Sequence, residues 1–273
     1  MLERDLFSQL DRVGQLLDIL PRGLVVDVDG TISEIAPSPD SALVDDTFKR
    51  MLRDLRTTFD LVAVISGRSV HDVKALVGVD GLVYVGNHGA EWWSDGQAQL
   101  SAGVKPYIGK IAAAVDEIRC QLSASGVTVE NKRVTAAIHY REAAEPELAR
   151  QAILTAIANS ASAQGLRITV GKMVVELRPP VHINKGQALA RLVRKHGLKS
   201  VIYLGDDSTD VDAFVLLRRL RTAAKIDGLA IAVLSPETLE KVVDNADATL
   251  QGVSEVGRFL RWLEQATRQA TFG

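Results

Sequence analysis

One cysteine, Cys120, occurs in the 273 residues, so no disulfide can close within the chain. Its neighbours Ile118 and Leu122 predict an inert thiol on the buried face of a helix. No apolar run approaches the ~20 residues that cross a bilayer. The first stretch carries Glu3, Arg4, Asp5, Asp11 and Arg12 among its apolar residues, which a secretory signal would not tolerate, and a cytoplasmic location is expected. In the same stretch Leu2, Leu6, Leu10, Val13, Leu17 and Leu20 recur every three or four residues, the period of a helix laid on a core. Neither sign of charge is in excess: 32 basic and 34 acidic residues leave a net charge of −2, too little field to hold a polyanion, so neither nucleic acid nor a membrane is expected as partner. Internal repeats and low-complexity tracts are lacking too. What is present, 47% hydrophobic and 24% charged residues, is the balance of a chain that buries a full core, and its length predicts two unequal units.

Short apolar runs predict strands at Leu24–Val28, Leu61–Ile65, Leu82–Val85, Val201–Leu204 and Leu229–Val233. Their near-continuous hydrophobicity implies burial on both faces, and helical stretches between them, such as Asp45–Phe59 and Lys185–His196, imply parallel crossovers. The expected fold class is α/β, a doubly wound Rossmann-like parallel sheet. The pattern changes between residues 105 and 180. Helical stretches at Lys105–Ala124 and Ala144–Ala163 alternate there with extended pairs, Val127–Lys132 with Val134–Tyr140 and Leu166–Val170 with Met173–Arg178. Gly171-Lys172 suits a hairpin turn. The order predicts an inserted α+β unit, a small antiparallel sheet with two helices on one face, over 105–180, leaving 1–104 and 181–273 as the core. Ser101–Pro106 and Pro179-Pro180 punctuate its ends. A late helix over Ser254–Ala266 is expected to pack on the core, which leaves the chain a monomer.

Candidate chemistry gathers where strands end. The run Leu24-Val25-Val26 leads into Asp27-Val28-Asp29-Gly30-Thr31, two carboxylates one residue apart and a glycine that permits a sharp turn. Like charges so close repel, and a bound cation is the simplest remedy. Gly205-Asp206-Asp207-Ser208-Thr209-Asp210 repeats the arrangement after Val201–Leu204. Hard oxygen ligands from two strand ends suit Mg²⁺. Ser66-Gly67-Arg68 follows another strand and offers a hydroxyl and backbone N–H groups to an anion, although a serine there could equally cap a helix. Lys185 opens the helix after the insert, where an ammonium could neutralise phosphoryl oxygens, or could simply lie on the surface.

In this order the four motifs resemble the haloacid dehalogenase superfamily of phosphotransferases, which implies a core of that type. The resemblance makes Asp27 the nucleophile and Asp29 the acid/base. It gives Ser66, Gly67 and Lys185 to the phosphate, and the Asp27 and Asp206 carboxylates with the Asp29 carbonyl to Mg²⁺, with Asp207 and Asp210 in support. Local wording narrows it: Asp29-Gly30-Thr31-Ile32-Ser33-Glu34-Ile35, Ile65-Ser66-Gly67-Arg68, Asn87-His88-Gly89-Ala90-Glu91, Val129-Glu130-Asn131-Lys132, His139-Tyr140-Arg141, Glu176-Leu177-Arg178-Pro179, Asn184-Lys185-Gly186-Gln187-Ala188-Leu189, and Gly205 through Phe214. These are similar to the trehalose-6-phosphate phosphatase family, which implies a sugar-phosphate substrate, the insert as a specificity cap, and sugar contacts from Glu130, Lys132 and Glu176. Arg68, His88 and Arg141 stand behind these as candidates for substrate contact or domain closure. Departures from the family wording fall at Val211, where glutamate is usual, at Val28, where an aromatic is common, and at His182-Ile183-Asn184, which replaces a glycine-rich lead-in. Phosphatases of sucrose phosphate or of a glycosyl-phosphoglycerate, a phosphomutase and a non-catalytic sugar-phosphate sensor are the competing expectations.

Overall fold

The computed structural model describes residues 4–36, 41–122, 125–171 and 173–272. Two compact units emerge, one of Met1–Ala98 with Ile183–Gly273, the other of Gln99–His182.

In the first unit a short 3₁₀ turn, Leu6–Gln9, runs into α1 (Leu10–Leu17). Leu6, Val13 and Leu17 are buried, in keeping with the periodicity, but Leu20 is 61% exposed because the helix has already ended; Leu2 lies outside the described residues. The elements that follow are β1 (Arg22–Val26), α2 (Asp46–Leu55), β2 (Leu61–Ile65), α3 (Val70–Val77), β3 (Val83–Gly86), β4 (Glu91–Ser94) and β5 (Gln97–Leu100). The second unit adds α4 (Ile108–Gln121), β6 (Thr128–Asn131), β7 (Ala136–His139), α5 (Pro146–Asn159), β8 (Arg167–Gly171) and β9 (Val174–Arg178). The chain then completes the first with α6 (Lys185–His196), β10 (Ser200–Gly205), α7 (Val211–Thr222), β11 (Asp227–Leu234), α8 (Glu240–Asn245), β12 (Ala248–Gln251) and α9 (Gly252–Phe272).

The large sheet has the order β12-β11-β10-β1-β2-β3-β4-β5 and is parallel from β12 to β3. Strand residues alternate between its faces. Leu24, Val26, Val62, Val64, Ile202 and Leu204 join one apolar layer with α1, α2, α3 and α9, while Val25, Ala63, Ile65, Val201 and Tyr203 join another with α6 and α7. Burial on both faces explains why these strands read as unbroken apolar runs. The edge departs from the all-parallel expectation: β4 runs antiparallel to β3. β4 and β5 meet at Asp95-Gly96, where both residues have positive φ (54° and 76°), the conformation of a tight hairpin turn. No helix among the described residues is long and apolar enough to cross a membrane.

In the second unit the sheet has the order β6-β7-β9-β8, with neighbours antiparallel. Ala136, Ile138, Val175 and Leu177 face a cluster with Ile111, Val115 and Ile118 of α4 and Ile153 and Ile157 of α5. Lys172, in the expected hairpin turn, and Ala124, at the expected end of the first helix, lie outside the described residues. One expectation is overturned: Cys120 is exposed. The buried stripe of α4 is Ile111, Ala114, Val115 and Ile118, and a residue two places after Ile118 points about 200° round the helix from it.

Glu117 of α4 ties the two helices of this unit together. Its carboxylate accepts hydrogen bonds from Ser160 Oγ (2.6 Å), Ser162 Oγ and Ser162 N–H (3.1 Å), just beyond α5. These bonds, that from Ser160 foremost, stabilise the ionised form and lower its pKa from an ordinary 4.5 to about 2. A depressed carboxylate stabilises the folded state fully above its unfolded pKa, and that contribution fades as pH falls from about 4.5 toward 2. Wild type is therefore expected to melt above Glu117→Gln at pH 7, with the gap narrowing as pH falls from about 5 toward 2; thermal melts of both proteins across that range check it. A gap independent of pH would refute the assignment.

Candidate active site

β1 and β10 are neighbours in register, Val26 opposite Leu204, so the residues following both strands emerge side by side. Asp27 continues the ladder by one bond, its N–H donating to Leu204 O (2.9 Å). The chain then folds back at Gly30, whose N–H donates to Ser33 O (2.8 Å). Gly30 has φ +80°, and a Cβ there would stand 2.3 Å from Asp206 Oδ2. Only glycine lets the two acidic loops approach this closely.

Asp27, Asp206 and Asp210 each offer an oxygen within 4.8 Å of the others, and all three are buried. Lys185, the first residue of α6 and only 2% exposed, is the counter-charge: its Nζ stands 3.0 Å from Asp27 Oδ1 and 2.9 Å from Asp210 Oδ1. The surface-lysine alternative is thereby excluded. Asp210 is committed to this arrangement. Its Oδ1 accepts from Lys185 and from the Tyr203 hydroxyl (2.7 Å), and its Oδ2 from the Asp207 N–H (3.1 Å). Asp210 therefore orients the ammonium, and both of its oxygens are already engaged. Burial and then the Asp210 and Asp27 charges raise the Tyr203 pKa, keeping the phenol a donor. Burial opposes the charge on Lys185, but Asp210 and Asp27 outweigh it and hold its pKa above normal. Burial pushes the Asp27 pKa well up, against the pull of Lys185 and with the push of Asp210, Asp206 and Asp29.

Three buried carboxylates against one ammonium is an arrangement that a divalent cation relieves. The donors are hard oxygens, and the glycine at position 30 keeps Asp206 against the Asp27 loop, so these residues fit Mg²⁺.

Ser66 follows β2 and is 1% exposed. It is not the helix cap that its position allowed. Ser69 caps α3, its Oγ accepting from Asp72 N–H (3.2 Å), while Ser66 Oγ accepts from Arg68 N–H (3.1 Å). His88 backs this loop. Its N–H donates to Ser66 O (3.0 Å), and its ring fills the space beside Gly67, where a Cβ would lie 2.7 Å from Cε1. Arg68, expected as a substrate or closure contact, holds Asp29 with both fork arms: Nε to Oδ2 at 2.9 Å and Nη2 to Oδ1 at 2.7 Å.

The remaining candidates belong to the second unit. Register aligns Glu130, Ala137, Glu176 and Thr169 in one row across four strands. Alternation puts this row opposite the face that packs on α4 and α5. Lys132 Nζ is 3.7 Å from Glu130 Oε2. Arg141 follows β7, half-buried.

Sequence reasoning gave no role to several residues that shape these sites. Tyr203 supports Asp210, as above. Glu91 is buried and accepts from Val70 N–H (3.0 Å) and Asn87 Nδ2 (2.9 Å), joining the start of α3 to the turn that carries His88. In the second unit His139 Nε2 lies 3.0 Å from Glu130 Oε2, and Arg178 pairs with Glu176. The signals that could have found them were a carboxylate beside Trp92-Trp93, the His139-Tyr140-Arg141 wording and, for Arg178, the two-residue spacing that shares a strand face with Glu176.

The family profile described as trehalose-phosphatase matches residues 25–249. The chain belongs to the trehalose-phosphatase family. Among this family's relatives, the trehalose-phosphate phosphatase of Mycolicibacterium paratuberculosis is 34% identical over 254 residues, covering 90% of this chain and 62% of the relative. A Mycobacterium tuberculosis protein named as an uncharacterized glycosyl hydrolase is 38% identical over 221 residues, 78% of this chain but 16% of its own length. The chain thus spans less than two thirds of either curated relative. In fold it is similar to the C-terminal domain of the Candida albicans trehalose-6-phosphate phosphatase, with a TM-score of 0.75 at 22% identity, covering 93% of this chain and 96% of that one. The expected mixed α/β fold with a central parallel sheet is shared with it.

Proposed function

We propose that this chain hydrolyses trehalose 6-phosphate to trehalose and phosphate, through an aspartyl-phosphate on Asp27 and with Mg²⁺ as cofactor. The observation that carries the reading is the buried Asp27 carboxylate at a strand tip, paired at 3.0 Å with Lys185 and flanked by Asp206. Membership of the trehalose-phosphatase family supports the substrate.

In the first step an Asp27 carboxylate oxygen attacks phosphorus, the bond to the sugar oxygen breaks, and Asp29 gives that oxygen its proton. In the second, water attacks the acyl phosphate, Asp29 takes the water's proton, and the Asp27 carboxylate leaves. Lys185 stands where it can neutralise charge on the transferring group, while Ser66 and the Gly67 N–H donate to phosphate oxygens. Mg²⁺, held by the Asp27 and Asp206 carboxylates and the Asp29 carbonyl, would offset the repulsion between nucleophile and phosphate. Asp207 helps hold Asp210 and through it Lys185.

The Gln99–His182 unit is proposed as the specificity cap, with Glu130, Lys132 and Glu176 binding sugar hydroxyls and Arg141 as a further contact. One strand separates the two glutamates, which spaces them roughly 10 Å apart, a span suited to a sugar ring. Charged groups make the stronger hydrogen bonds to hydroxyls. His88 is assigned to shaping the Ser66–Gly67 loop. The enzyme is read as a cytoplasmic monomer acting on a small molecule.

Phosphate release from trehalose 6-phosphate, sucrose 6-phosphate and a glycosyl-phosphoglycerate, each with Mg²⁺ and with a chelator, tests the proposal. Trehalose 6-phosphate should give the highest kcat/KM, and chelation should remove the activity with recovery on adding Mg²⁺. Equal or better turnover of another ester refutes the substrate, and activity that survives chelation refutes the cofactor.

A further inference from the structure

Asp29 carries both proton transfers in the reading above, yet a carboxylate on a loop has many orientations open to it, and it is 38% exposed. The structure supplies a restraint. Arg68 Nε and Nη2 grip the two Asp29 oxygens at 2.9 and 2.7 Å, a fork-on-fork pair that fixes the plane of the carboxylate as well as its position. A lysine could fix position only.

Arg68 is itself anchored at three points. Its N–H donates to Ser66 Oγ (3.1 Å), its carbonyl accepts from Asn87 N–H (2.7 Å), and it directly precedes Ser69, the N-cap of α3. Its side chain is 15% exposed, so it is better covered than the aspartate it holds. Asp29 lies in the turn closed by the bridge between Asp29 and Ser33. The fork therefore joins the loop of Ser66 and Gly67 to the loop of Asp29.

We propose that Arg68 is a positioning residue: it sets the orientation of the Asp29 carboxyl toward the ester oxygen and couples that orientation to the loop that seats the phosphate. The proposal rests on the assignment of Asp29 as acid/base. It differs from a role in binding, because an arginine that met phosphate or sugar would act on substrates without Asp29.

Two comparisons on the purified 273-residue chain test it. The first is leaving-group dependence of kcat/KM, which covers the steps through cleavage of the ester bond. A sugar alkoxide needs a proton to depart, whereas p-nitrophenolate does not. Arg68→Ala should lower kcat/KM on trehalose 6-phosphate about 10²-fold, the low end of what a positioned acid supplies, and the loss on p-nitrophenyl phosphate should be at least about ten-fold smaller. The second is a double-mutant cycle. Arg68→Ala placed on Asp29→Asn should cost less than about three-fold more on trehalose 6-phosphate, because the residue it positions is already gone. Arg68→Lys should recover only a minor part, and inhibition by inorganic phosphate should stay within about three-fold in every variant.

Equal losses on the two esters, additive losses in the cycle, or a matching weakening of phosphate inhibition would overturn the positioning role and make Arg68 a binding group. Wild-type protein that turns over neither ester would instead remove the phosphatase reading. Wild type active on both, with Arg68→Ala unchanged on both, overturns this proposal alone.

Discussion

Asp27→Asn is expected to abolish phosphate release, by on the order of 10⁴-fold or more, while the protein still folds. The amide oxygen is a poor nucleophile toward phosphorus, and its two buried acidic neighbours are engaged in other contacts. Asp206 contacts the Gly30 turn, and Asp210 is occupied by Lys185, Tyr203 and the Asp207 N–H. Folding should survive, because the substitution removes one of three crowded buried carboxylates. Burial already disfavours the charge at position 27, and Lys185 keeps Asp210 as its partner. Phosphate release assayed beside a thermal melt is the check. The variant should melt at the wild-type temperature or above. Undiminished turnover would remove Asp27 from the nucleophile's role, and collapse of the fold would show the side chain to be structural.

Lys185→Met should fail in the opposite way, losing stability as well as turnover. Removing the ammonium leaves Asp27 and Asp210 buried without their common counter-charge, with Tyr203 the nearby donor that remains to Asp210 Oδ1. Breaking a buried ion pair from one side costs about 3–5 kcal/mol, enough to consume much of a domain's stability. Methionine matches the lysine stem in length, so the loss is electrostatic and not a cavity effect. Urea denaturation at neutral pH measures it. Adding Asp210→Asn to Lys185→Met should recover part of the stability, since it removes one of the stranded charges, but none of the activity. A Lys185→Met protein as stable as wild type would contradict the ion-pair geometry.

These two outcomes separate what the strand tips do chemically from what they do for the fold. Stability and catalysis meet at Lys185, because the same ammonium that offsets the buried carboxylates is the one assigned to the phosphate. At Asp27 they diverge, and a site that holds like charges together is expected to gain stability when one is neutralised.

The sequence by itself determined the strands that matter and which acidic residues stand at their ends. Leu61–Ile65 and Lys185–His196 were legible to the residue, because a strand buried on both faces and a capped helix leave strong local signals. The places of Asp27, Asp29 and Asp206 were legible because each stands within three residues of the end of an apolar run, so that a charge lands near the carboxyl end of a buried strand, where open α/β sheets build their sites. Lys185 was legible from its place at the start of a helix in the same chain order. Less legible were β4, β5 and β12, short elements at the sheet edges; the Asp95-Gly96 turn was the one strong sign of them. Cys120 misled because two apolar neighbours do not fix a helix face; the face is set by what α4 packs against.

Only the tertiary structure decided the pairings. Arg68 and Asp29 are 39 residues apart, and Lys185 and Asp27 are 158 apart, a separation at which a linear pattern holds no information about contact. Parallel strand order brings β1 beside β10 and β2, and it is this ordering that turns separate strand ends into one site. Likewise, residue type could not say that Asp210 serves Lys185 and Tyr203. That role depends on which donors reach its oxygens, a property of packed atoms in three dimensions.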